Sequence, residues 1–189
     1  MNNLKFIILT LISTIMSESI KEPEYNLLYK ENSIEIRDYP KYVIAKTSVS
    51  KLSESDNSMF RTLAGYIFGG NKANQSIPMT APVITRENNN YSEMIFFMLD
   101  AKEISNLPIP NDTNVKLDMI EIGTTISIKF GMWATDSRVS YYKDILDKYI
   151  EDNDIQVISS LMIAQYNSPW TLPPFRKNEL LYKIKYESK

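Results

Sequence analysis

The sequence contains no cysteine and no histidine among its 189 residues. Without cysteine the chain has no disulfide, no thiolate metal site and no catalytic thiol, and the sequence does not indicate a redox compartment. Without histidine it lacks the side chain used in Ser-His-Asp catalysis, in most zinc sites and as the usual axial ligand of haem iron. These two absences favour a protein that is not an enzyme.

The sequence also lacks a strong charge of either sign. The formal net charge is −2, which argues against a sequence-independent nucleic-acid binder because such a protein needs a basic face. Hydrophobic residues make up 43% and charged residues 23%, which is ordinary for a globular domain. The length suits one domain, or one domain with a short leader.

An apolar run lies near the N-terminus, at Leu4–Met16 (LKFIILTLISTIM). It is too short to span a bilayer comfortably, and Lys5 is the only basic residue before it ends, so we interpret residues 1–19 as a signal peptide and 20–189 as the folded domain. The alternative is an N-terminal core strand or helix. Cleavage would place the mature chain in a secreted, exported or luminal compartment with no stable membrane insertion; otherwise the chain is cytoplasmic.

Two stretches carry apolar residues at the i, i+3, i+4, i+7 spacing of an amphipathic helix. They predict helices near residues 55–68 and 138–151. The two apolar stripes are formed by Phe60, Leu63, Ala64 and Ile67 in the first and by Tyr142, Ile145, Leu146 and Tyr149 in the second. Ser53 or Ser55 is expected to cap the first helix, and Gly69-Gly70 to end it.

Runs with strand character precede and follow each helix. Pro40 is expected to separate two strands, and Gly123 to turn a hairpin between two others. The order is strands, helix, strands, repeated once, which suggests a duplicated β-α-β unit. We therefore predict an α+β sheet or barrel of about eight or nine strands rather than a doubly wound parallel sheet.

The stretch Phe60–Val83 (FRTLAGYIFGGNKANQSIPMTAPV) resembles the signature of the SOUL haem-binding protein family. Further pieces similar to the family lie in order along residues 22–186, almost the whole predicted domain. They are EPEY at 22–25, IEIRDY at 34–39, LPIP at 107–110, FG at 130–131, YNSPW at 166–170 and RKNEL at 176–180. Six ordered pieces are much more specific than one motif.

The resemblance implies a distorted antiparallel β-barrel with two main helices and pseudo-twofold symmetry. It also implies reversible binding of haem or another porphyrin, as a carrier, buffer or sensor, by apolar contact where no axial histidine exists. The resemblance also implies that the first helix takes part in porphyrin binding. Beside its core stripe, Met59 and Tyr66 offer a second row that would present an apolar surface to a flat macrocycle, although plain amphipathic packing explains the same pattern.

Our candidate ligand-binding residues are Met59, Arg61, Leu63, Tyr66, Lys72 and Met79. Arg61 and Lys72 are cations that would meet propionates, unless they are simply solvated. Met79 would form a wall of the ligand groove, unless it belongs only to an edge strand. No residue is predicted to be catalytic or to bind a metal.

Two other functions stay open. The loop at residues 167–175 (NSPWTLPPF) carries Trp170, Leu172 and Phe175, which would suit a protein partner. We expect instead that this loop closes the end of the barrel over those side chains. The third possibility is an effector-binding barrel for another small molecule, because related two-helix barrels sense drugs in regulators.

Overall fold

The computed structural model describes residues 20–50, 56–87, 90–168 and 170–186. The predicted leader, residues 1–19, and the predicted cap residues Ser53 and Ser55 lie outside the described residues, so both stay predictions. The strands are β1 (Asn26–Glu31), β2 (Ile34–Ser50), β3 (Val83–Glu87), β4 (Tyr91–Phe97), β5 (Lys116–Gly131), β6 (Gln156–Val157), β7 (Met162–Gln165) and β8 (Lys177–Lys185). The helices are α1 (Asp56–Ile67) and α2 (Asp136–Asp152).

Six of the strands close into an antiparallel barrel. Their order is β2-β4-β3-β7-β8-β5, and β5 pairs with β2 to complete the ring. Strand β1 adds to β2, and the short β6 pairs with β8 outside the ring. The predicted α+β barrel with two main helices is therefore confirmed.

Two expected chain breaks are absent, because β2 and β5 pair with each other along almost their full lengths. Tyr39 lies opposite Gly123 and Lys41 opposite Glu121, so both strands pass this level without interruption. Pro40 does not end β2, and Gly123, at φ 65°, lies within β5 and turns no hairpin. The separate strands and the hairpin predicted from sequence were wrong, since cross-strand pairing overrides the local turn preference.

The barrel interior is filled by side chains from all six barrel strands. This cluster contains Tyr39, Ile44, Ile84, Ile95, Phe97, Ile122, Met162, Ala164 and Leu181. The space left among them is only about 10 Å³, too small for an organic ligand. Helices α1 and α2 cover neighbouring pairs of strands from outside, α1 on β2 and β4 and α2 on β5 and β8. The barrel interior therefore has no room for an organic ligand.

Candidate functional site

Helix α1 buries a wide apolar arc against the barrel. Met59, Leu63, Tyr66 and Ile67 are each at most 1% exposed. The Tyr66 hydroxyl donates a hydrogen bond to the Pro108 carbonyl oxygen at 2.9 Å, and burial raises the pKa of Tyr66 to about 12. The expectation that Met59 and Tyr66 form an exposed apolar row was wrong, because the buried arc is wider than the stripe read from the sequence.

The segment after α1 is a rigid turn. A Cβ atom on Gly70 would lie 2.5 Å from the Gly65 carbonyl oxygen, so only glycine fits there. The fully buried Asn71 donates from Nδ2 to the carbonyl oxygens of Tyr66 and Gln75, and its Oδ1 accepts from the Gln75 N–H. The glycines and Asn71 of the family signature therefore fix the backbone.

The outer face of α1 borders a cleft of about 410 Å³. Its lining residues are Ser58, Arg61, Thr62, Gly65, Tyr66, Gly70, Asn111 and Asp112. A Cβ atom on Gly65 would meet nothing within 4 Å, so the helix presents bare backbone to this cleft. Most of the lining residues have polar side chains, among them the exposed cation Arg61 and the exposed anion Asp112.

The structure brings two of the six predicted binding residues, Arg61 and Tyr66, to this cleft. Met59 and Leu63 lie beneath α1 in the core, and Met79 packs half-buried against the same core cluster. Lys72 is exposed on the following turn, where its backbone N–H donates to the Ile109 carbonyl oxygen at 2.8 Å.

A second cleft, of about 420 Å³, lies between α2 and strands β3, β4 and β7. Its lining residues are Thr85, Arg86, Glu87, Ser92, Asp136, Val139, Ser140, Lys143, Leu161 and Ile163. Val139, Leu161 and Ile163 supply an aliphatic surface. Two cations line the cleft: Arg86 bonds Glu93 at 2.5 Å, and Lys143 pairs with Asp147. Sequence reasoning did not identify this cleft, because its residues come from four separate segments.

A charged network is buried where the two halves of the chain meet. Arg37 is fully buried and makes two bonds to Glu179, Nη1–Oε2 at 2.8 Å and Nη2–Oε1 at 2.9 Å. It also bonds Glu35 through Nη2 at 2.6 Å, and it donates to the Tyr39 hydroxyl at 2.9 Å. The Tyr166 hydroxyl donates to Glu179 at 2.7 Å. The network satisfies its buried charges internally and offers no open position to a ligand.

The contacts within this network shift the pKa values of its members. Burial acts to raise the pKa of Glu35, but hydrogen bonds from Lys129, Arg37 and Lys30 outweigh it and hold the pKa at about 2. Burial raises the pKa of both Tyr39 and Tyr166 well above the ordinary tyrosine value. These residues fall in the family-like pieces IEIRDY, YNSPW and RKNEL, to which sequence reasoning gave no role. The sequence signal that could have indicated this network is the alternation of charged Glu35 and Arg37 with isoleucines in β2, because buried charges are normally paired.

The loop at residues 167–175 does not close over its apolar side chains. Trp170 is 91% exposed, Phe175 73% and Leu172 65%. The expectation that these side chains are covered was therefore wrong for the described residues of the loop; Pro169 lies outside them. The loop instead turns its polar groups inward, toward Arg176 and Lys177.

The comparison with protein families identifies the chain. The model of the SOUL heme-binding protein matches residues 20–183. The chain belongs to this SOUL family. The match covers most of the chain and includes all eight strands and both helices except the last residues of β8. No curated protein matches the chain.

Solved structures resemble this SOUL domain in fold at low sequence identity. A hydrolase from Listeria innocua is 9% identical with a TM-score of 0.59, over 84% of this chain and 94% of that one. An uncharacterized conserved protein from Listeria innocua is 10% identical with a TM-score of 0.62, over 82% and 93%. The EcmrR C-terminal domain is 15% identical with a TM-score of 0.59, over 84% and 99%. At these identities the likeness concerns the fold alone.

The residues of the α1 cleft fit a tetrapyrrole in two respects. The bare backbone at Gly65 lets a flat ring approach the helix, and the Arg61 guanidinium is the group that propionates prefer. No histidine exists to ligate iron. Within the described ranges no cluster of acidic side chains could hold a metal ion, and no helix there is long and apolar enough to cross a membrane.

Proposed function

We propose that this protein is a non-enzymatic binder of haem or another tetrapyrrole, acting as a carrier, buffer or sensor. The observation that carries the proposal is the family match over residues 20–183. Binding is reversible and does not use an imidazole ligand, since the chain contains no histidine. The binding free energy then comes chiefly from the apolar surface of the ring and the protein that is buried on binding.

We place the ligand at the α1 cleft, where the ring would lie over Gly65 and the propionates would meet Arg61. Lys72, exposed on the turn that follows α1, would meet a second propionate. Met59 and Leu63 support this surface from the core side of the helix, as Met79 does from the neighbouring segment. Their role is to hold α1 in place, so variants that test the site should change outward-facing residues.

The α2 cleft is the alternative position for the same ligand. Its volume is nearly the same, and its aliphatic residues Val139, Leu161 and Ile163 favour an apolar ring more than the polar α1 cleft does. Its cations are already engaged, Arg86 by Glu93 and Lys143 by Asp147. A propionate would have to compete with these ion pairs, which favours the α1 cleft.

Titration of the purified full chain with haemin and with iron-free protoporphyrin tests the function. We expect micromolar or weaker dissociation constants, about −8 kcal/mol or less in magnitude, and a difference between the two rings within about tenfold, or about 1.4 kcal/mol. Absorbance and tryptophan quenching report the binding. Haemin binding hundreds of times tighter than the iron-free ring would require an axial ligand, and absence of binding by both rings would overturn the proposal.

Two matched variants locate the site. Gly65→Trp fills the α1 cleft and Ser140→Trp fills the α2 cleft, and both positions are exposed on helices. We expect Gly65→Trp to weaken haemin binding at least about tenfold while Ser140→Trp leaves it within about twofold, because only the first removes area available to the ring. The reverse result would move the site to the α2 cleft without changing the function.

A further inference from the structure

One end of the barrel displays apolar side chains that nothing in the tetrapyrrole proposal uses. Trp170, Leu172 and Phe175 project from the loop at residues 167–175, and Trp133 beside them is 46% exposed. We name these four side chains the aromatic tip. The loop contains no charged residue from Asn167 to Phe175. Arg176, which stacks on Trp133 and bonds the Thr171 carbonyl oxygen, places these side chains in one region, and large exposed apolar patches mark interaction sites.

The aromatic tip is held rigidly by a cation beneath it. The side chain of Arg176 donates from Nε to the Thr171 carbonyl oxygen at 2.9 Å and from Nη2 to the Ser168 carbonyl oxygen at 3.3 Å. Its guanidinium carbon lies 3.5 Å from the centre of the Trp133 ring. The Lys177 N–H donates to the Asn167 side-chain oxygen at 2.6 Å. Because these bonds already hold the backbone at Ser168 and Thr171 and the side chain of Asn167, docking through the tip loses little conformational entropy.

We propose that the aromatic tip docks this protein reversibly on the surface of a lipid bilayer. Tryptophan favours the membrane–water interface, and leucine and phenylalanine favour the acyl boundary just below it. A protein interface surrounds such anchors with a polar rim. Here the side chain of Asn167 is turned inward to the Lys177 N–H, and the loop from Asn167 to Phe175 carries no charged side chain that would form such a rim.

The charges at the tip indicate a neutral lipid surface. Arg176 is only 9% exposed, and Lys177 pairs with Glu22 at 2.9 Å. These two cations, the nearest to the loop in sequence, are therefore already engaged beneath or beside it. Attraction to anionic headgroups would contribute little, and the apolar side chains would supply the binding free energy. Phosphatidylcholine is accordingly the lipid for the test.

The start of the folded domain lies on the same side of the molecule. The Glu22–Lys177 ion pair brings the first described residues next to the end of the loop. The apolar run Leu4–Met16 precedes these residues in sequence, but its predicted removal leaves the aromatic tip to supply the docking. The docking is shallow and differs from stable insertion. It does not depend on tetrapyrrole binding, although it would bring a carrier to the phase in which apolar rings dissolve.

The test follows Trp170 on phosphatidylcholine vesicles. The chain has two tryptophans, so Trp133→Phe in the full chain leaves Trp170 as the only tryptophan fluorophore. We expect its emission to shift to shorter wavelength with vesicles and to be quenched by brominated acyl chains. In the native background, Trp170→Ser with Phe175→Ser should lower vesicle partition at least about tenfold. Phe68→Ser, which changes a side chain that is 72% exposed after α1, should leave partition within about twofold.

Three results would overturn the proposal. If Trp170 emission does not change on vesicles, or if the double variant partitions like the native chain, the tip does not touch lipid and any binding comes from elsewhere in the chain. If the double variant instead abolishes a concentration-dependent self-association seen by analytical ultracentrifugation without vesicles, and vesicle partition is absent, the occupant of the tip is a second copy of the chain. Circular dichroism verifies that each variant is folded.

Discussion

The two helices come from the same sequence pattern but lie against the barrel differently. Helix α1 has four side chains that are at most 1% exposed, whereas Leu146 is the one buried residue described for α2. Ile145, part of the predicted stripe of α2, is 38% exposed. The comparison teaches that apolar periodicity predicts a helix and its inner face, but not how closely that face is packed.

The chemistry of the stripes explains the difference. The stripe of α2 contains Tyr142 and Tyr149, whose hydroxyls must stay near water or a partner. Tyr149 reaches outward and donates to Glu31 at 3.0 Å. Tyr66 of α1 instead finds the Pro108 carbonyl oxygen beneath the helix, so its ring can be buried completely. Because α2 packs less closely against the barrel, the cleft with aliphatic residues remains beside it. The closely packed α1 borders only a shallower cleft, lined mostly by polar residues.

The largest predicted loss of stability comes from the ion pair that joins the two halves of the chain. Arg37 on β2 and Glu179 on β8 join the two halves, so Arg37→Ala leaves Glu179 buried without its cation. We expect a loss of about 3–5 kcal/mol in the free energy of unfolding, measured with urea. Lys41→Ala is the matched control on β2: its pair with Glu121 is 3.1 Å long with both side chains over 60% exposed, and it should cost less than about 1 kcal/mol. Equal losses for the two variants would show that the network does not hold the halves together.

A smaller effect sharpens the comparison between the helices. Leu63→Ala on α1 removes a fully buried side chain and should cost about 2–5 kcal/mol. Ile145→Ala on α2 removes a partly exposed one and should cost less than about 1 kcal/mol. Urea unfolding of both variants measures the difference. If Ile145→Ala costs as much as Leu63→Ala, α2 is seated as tightly as α1 and the explanation of its cleft fails.

Local pattern allowed much of the fold to be predicted, and long-range pairing limited the rest. The first helix was expected near 55–68 and spans Asp56–Ile67, because its stripe and the following glycines are local signals. The continuous path of β2 through Pro40 was missed, since it depends on the facing strand β5. The network was missed for the same reason: Arg37 and Glu179 are 142 residues apart. The α2 cleft depends on packing distance, which no periodicity records.

The smallest of these effects is a pH dependence that originates at the junction of the halves. The pKa of Glu35 is about 2 in the folded chain against 4.5 as its ordinary value, so its contribution is present above about pH 4.5 and is lost as the pH falls toward 2. Urea unfolding at several pH values should show this loss in the native chain, and Glu35→Gln should flatten it. Asp118→Asn is the control, because the pKa of Asp118 is also lowered, chiefly by the hydrogen bond from Lys46, but its side chain is 49% exposed and its slope should be smaller. Parallel slopes for the native chain and Glu35→Gln would place the acid sensitivity outside the buried network.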